Sequence, residues 1–256
     1  MINSLFQLVL FTGLVWFVSF MAQTAITKLA FKLNGWPLYL LMSSVGVAFH
    51  ELSHAIVAVI FGHKVNKIAL FAPDIRSGTL GYVNHAYNPL NIYHRIGCFF
   101  IGFAPLYLAP ASIYLLSYIL LPQPEHLIKS ISFLGTLTIP EIASQYSIFY
   151  DYFLNAYKVD PINMFVWLFS ACSIALSCGP SPSDVKNSLS GVIFVFIALF
   201  VLPTLFSFNF PSIIVGGSYI LLILCVLQII TLLTLIVFWT LGKKTISLLL
   251  HKKEIM

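Results

Sequence analysis

Charged side chains are scarce in this chain. Asp, Glu, Lys and Arg make up 8% of its 256 residues, about a third of the share in an ordinary soluble domain. The four cysteines, Cys98, Cys172, Cys178 and Cys225, form no CxxC pair and all fall in or beside apolar runs, which leaves them as small buried hydrophobes. No run alternates basic with aromatic residues, so the net charge of +5 does not point to nucleic acid. Internal repeats and low-complexity linkers are missing, and no stretch is left over for a soluble regulatory domain. The N-terminal segment lacks the basic start of a cleavable signal peptide and reads as a retained first span.

What fills the sequence instead is apolar: 59% of residues are hydrophobic and the mean hydropathy is +0.96. This predicts an all-α integral membrane protein, a single multi-pass domain over 1–256 with about six transmembrane helices, at roughly 4–22, 37–62, 96–121, 162–179, 188–207 and 213–242. After the second span, "KIALFAP" and "TLGYVNHAY" are rich in β-branched and aromatic residues, with turn chemistry in "PDIRSG" between them. They predict a small membrane-associated β-hairpin. Two short helices, Glu125–Leu137 and Glu141–Tyr157, are expected at the far interface. With six spans the termini share a side. That side carries nine of the 13 basic residues, which places both termini in the cytoplasm of a protein in the cell membrane.

One apolar run holds three polar, titratable groups together: "VAFHELSHAIVAVIFG", residues 47–62. An ionisable group near the bilayer centre costs at least about 2.5–3.5 kcal/mol, so His50, Glu51 and His54 call for a reason. A structural reason is available, with the histidines bonded to neighbouring helices and Glu51 protonated. A chemical one is more specific. Histidines four apart project from one helix face and can meet one zinc ion, while Glu51 can reach a water on the metal as general base. Zinc usually takes a third protein ligand and keeps one position for water. His63, His85, His94, Glu141 and Asp184 are the candidates. His63 would stand more than about 10 Å along the same helix. His85 and His94 belong to the hairpin connection, and Glu141 falls on the opposite side. That leaves Asp184, in "CGPSPSDVKNSLSG", where Gly179, Pro180 and Pro182 break the fourth span. Asp184 is either the third ligand or the partner of Ser181 in an S-x-x-D cap that only starts the fifth span. Cys178 and Asn187 are neighbours that could line the same cavity.

An HExxH inside a membrane span, followed by an Asp between later spans, resembles the site-2 protease family of intramembrane zinc metalloproteases. The likeness covers residues 46–121 and 179–191. Where the family often has Asp-Gly after Asn-Pro, this chain has Ser-Pro-Ser before Asp184 and Val185 after it. The resemblance implies a zinc-dependent endopeptidase (a hydrolase) that cuts the transmembrane segment of a membrane-protein substrate in regulated intramembrane proteolysis. Zn2+ would be bound by His50, His54 and Asp184, with Glu51 catalytic. A strand of the hairpin would receive the unwound substrate by edge pairing. Two other classes remain open at this point: a catalytically silent membrane-protein binder, and a metal or proton transporter using the histidines and Glu51 as a relay.

Overall fold

The computed structural model describes residues 36–74, 76–125 and 139–205, with Leu14, much of 17–29, Lys32 and individual positions between 227 and 237. Helix α1 runs Trp36–Ile60, strand β1 Lys64–Ala69, strand β2 Tyr82–Ala86, and then α2 Ile92–Gly102, α3 Ala104–Leu120, α4 Ile139–Val159, α5 Pro161–Leu176 and α6 Pro182–Leu205. The starts of the helices are written in the sequence. The Asn91 side chain accepts from the N–H groups of Tyr93 and His94 to begin α2. Asp160 accepts from Asn163 N–H, with Pro161 in the first turn, to begin α5.

The expectation of about six transmembrane helices is overturned. Among the described residues one helix, α1, is long and apolar enough to cross a membrane; a second would count only if α2 and α3, bent by 60° at their junction, were taken as one span. The predicted 96–121 span is this broken pair. Phe103 caps both helices and a proline opens α3, a break that a hydropathy average cannot see. The predicted 162–179 span is a helix of 16 residues, about 24 Å long against a hydrocarbon core of about 30 Å. The predicted spans 4–22 and 213–242 and the helix Glu125–Leu137 lie wholly or largely outside the described residues. The expected hairpin is present: β1 and β2 pair antiparallel, with a bulge between Val65 and Lys67. Their connection is held by Asp74, whose side chain accepts from Arg76 N–H and Ser77 Oγ–H, and by Gly78 at φ +72°.

Helix α1 packs mainly on α5 and α3, and α2 lies along α6. Glycines set how closely these backbones approach. At Gly46 the α1 backbone rests on α5, and its N–H reaches Ser173 Oγ at 2.7 Å. At Gly102 and Gly191, α2 and α6 touch backbone to backbone. Between α3 and α5 lies a core of Ala109, Ile113, Trp167, Ala171 and Cys172, into which the Trp167 indole N–H brings its own partner, Ser117 Oγ at 2.9 Å. The outer faces are apolar too: Leu115, Ile119, Ile162, Phe165, Leu189 and Ile193 are each 59–73% exposed.

Candidate metal centre

His50 and His54 project from one face of α1, their rings edge to face with centroids 4.7 Å apart. Each ring is held from behind. His50 Nδ1–H donates to the carbonyl of Ser177, just past α5, at 2.7 Å. His54 Nδ1–H donates to the carbonyl of Ile101, at the end of α2, at 2.6 Å. A carbonyl only accepts, so in the neutral rings the protons sit on Nδ1 and the lone pairs on Nε2. Those two Nε2 atoms face each other at 3.0 Å. Asp184 Oδ2 stands 3.5 Å from both.

Three electron-rich atoms thus converge with no donor of their own between them. Such a cluster needs a cation or a shared proton. Two ligands at about 2.05 Å from a tetrahedral zinc ion lie about 3.3 Å apart, and the separations here are 3.0 and 3.5 Å. Among the described residues, His50, His54 and Asp184 are the only set of three histidine, cysteine or carboxylate side chains so grouped. The carbonyls of Ser177 and Ile101 fix ring tautomer and direction as outer partners of metal-bound histidines do.

The two sequence readings of Asp184 turn out not to compete. Its Oδ2 accepts from Ser181 N–H at 2.7 Å and from Ser181 Oγ–H at 2.6 Å, and Ser181 Oγ lies 3.2 Å from Asp184 N. This is a capping box on α6, with Pro182 as its first residue. The oxygen that caps the helix is the one that faces the histidines.

Glu51 is buried, 8% exposed, and its Cγ packs against Gly81 at the foot of β2, where an added methyl would come within 2.7 Å of it. Glu51, both histidines and Asp184 line one open cavity of ≈970 Å³, closed on the other side by Gly81, Tyr82 and His85 of the hairpin. Asn187 lines it as well. Buried Cys178 does not join the group; its Sγ–H donates to the carbonyl of Ala175 at 3.1 Å. His63, His85 and His94 meet one another around the base of the hairpin, and of the three only His85 also lines the cavity. Glu141 belongs to α4, and its side chain lies outside the described residues. The orienting carbonyls were missed by sequence reasoning, since any residue carries one.

No protein-family model matches this chain, and neither a curated protein nor a solved structure matches it. The family resemblance therefore rests on the residues themselves.

Proposed function

We propose that the chain is a zinc-dependent intramembrane endopeptidase of the site-2 protease type, hydrolysing peptide bonds of membrane-spanning substrates. The observation that carries this reading is the convergence of the His50 and His54 Nε2 lone pairs with the Asp184 carboxylate, beside Glu51, on an open cavity. The setting in a bilayer is supported by α1 and by the apolar outer faces of α3, α5 and α6. Lys64, Lys67, Arg76 and Arg95 all follow the C-terminal end of α1, which favours the cytoplasmic side for that end and the hairpin. A reporter fused within the 70–80 turn should then read as cytoplasmic, and an exported reporter would reverse the orientation.

Bound zinc would supply a water of lowered pKa and a polarised carbonyl. The chain supplies the rest. His50, His54 and Asp184 would hold the ion, with the two rings aimed by the carbonyls of Ser177 and Ile101. Glu51 accepts the proton of the attacking water and returns it to the leaving amine. A substrate helix satisfies its own backbone, so it has to unwind before it can be cut. The edge of β2 away from β1, unpaired among the described residues and lining the cavity, offers the unwound segment hydrogen bonds as an added strand.

Metal content of the purified protein tests the site directly, with iron as the other metal that two histidines and a carboxylate suit. His50→Ala and His54→Ala should each lose zinc and activity together. Unchanged zinc in both variants would reduce the pair to a packing role. Because Asp184 Oδ2 both faces the ion site and caps α6, Asp184→Asn should weaken zinc binding more than Ser181→Ala. The latter removes only an outer partner, worth about 10–100-fold in affinity. The opposite ranking would leave Asp184 as a cap alone.

A further inference from the structure

Two histidines outside the metal centre are wired in series to the backbone carbonyl of a third. His63 is buried, 4% exposed, and its Nε2–H donates to the carbonyl of His94 at 2.9 Å. Because that carbonyl only accepts, the neutral His63 ring carries its lone pair on Nδ1. That atom lies 3.0 Å from His85 Nδ1, so His85 must be the donor and its own lone pair is forced onto Nε2. Tyr87 stacks on the His63 ring at 4.9 Å and fixes its plane. The His94 ring stays out of the chain, its Nδ1 taking the N–H of Asn88 at 3.1 Å. His85 stands on β2 and lines the cavity that holds Glu51 and His54. Burial holds both His63 and His85 below the ordinary histidine range; a second cause at His85 is repulsion from His63, and then from His54. Both rings are therefore neutral near pH 7, and the donor-to-acceptor order runs in one direction.

We propose that His63 and His85 form a relay that presents the His85 Nε2 lone pair to the cavity as the acceptor for a backbone N–H of the bound peptide. The proposal rests on the protease reading for the nature of that peptide. An unwound segment entering the cavity has N–H groups that have lost their helical partners, and an acceptor already turned toward them offsets part of that loss. His85 touches the substrate; His63 is a positioning residue that acts through it.

Two readouts test this. The first needs no substrate: histidine ¹⁵N NMR on the metal-free protein should find His85 protonated at Nδ1 and His63 at Nε2. In His63→Phe, which keeps the stack on Tyr87, His85 should lose that fixed tautomer. Finding His85 protonated at Nε2 in the wild type would overturn the relay. The second uses a synthetic 20-residue apolar helix interrupted by Gly-Pro, in vesicles of phosphatidylcholine and phosphatidylglycerol. His85→Asn keeps the donor toward His63 but loses the group in the cavity, and should raise KM about three- to tenfold, the worth of one neutral hydrogen bond. His85→Gln restores an acceptor near the Nε2 position and should recover much of this. A wild-type KM in His85→Asn would overturn the proposal and leave the protease reading standing. A wild type that binds the peptide about three- to tenfold more tightly than His85→Asn, yet never cuts it, would overturn the protease reading and keep the relay. A second equivalent of zinc, lost in His63→Phe, would make the pair a ligand set and overturn the relay.

Discussion

Glu51→Gln is expected to bind as much zinc as the wild type and to cleave at least about a hundredfold more slowly. A general base contributes roughly 10²–10⁴ in rate, and an amide cannot take the proton of a water at neutral pH. The substitution is nearly isosteric. The Cγ that packs against Gly81 is retained, so the cavity keeps its wall, and neither histidine loses its orienting carbonyl. Metal analysis beside a cleavage assay separates the two effects. Proteolysis at close to the wild-type rate would remove Glu51 from the chemistry. Loss of zinc together with activity would make it a part of the metal site instead.

The second large effect is expected far from any reacting atom. Gly46→Ala should cost at least about 1–3 kcal/mol of stability, the usual range for overpacking, and should lower zinc content as well. A β-carbon at this position would stand 1.8 Å from the Ser173 carbonyl oxygen, a backbone atom that has no rotamer to escape into. Helices α1 and α5 would have to part. The same methyl would come 2.7 Å from Ser177 Oγ, in the residue whose carbonyl orients His50. Gly78→Ala is the control. That position has φ +72° but open space around it, so strain there should lower the melting temperature slightly and leave zinc content alone. Equal zinc loading in Gly46→Ala and the wild type would show that the α1–α5 contact does not govern the site.

How much of this was legible beforehand depends on what kind of feature carries it. His50, Glu51 and His54 could be read because their geometry is local, fixed by the pitch of one helix. Asp184 could be found because glycine and prolines mark the break beside it. Its double duty could not, since no spacing rule says that a capping oxygen also faces a residue 134 positions earlier. The hairpin announced itself through β-branched residues flanking a Pro-Asp-x-x-Ser-Gly turn. The contact of His63 with His85 depends on strand register, and on a bulge between Val65 and Lys67 that has no sequence mark. The spans were misread for a related reason. Hydropathy sums composition over a window, and the sum is the same whether the helix runs straight or bends by 60° at Phe103.

The way the candidate metal centre is put together also sets a clock on its own synthesis. His50 and His54 leave the ribosome early, but the carbonyl that aims His50 belongs to Ser177 and the carboxylate to Asp184. The last ligand follows His54 by about 130 residues, roughly 7–26 s at ordinary translation rates. Until α5 and the first turn of α6 have been made and have packed against α1, the histidines have neither a fixed direction nor a third partner. On the proposed reading, a growing chain therefore has no complete site until its second half has been made and packed.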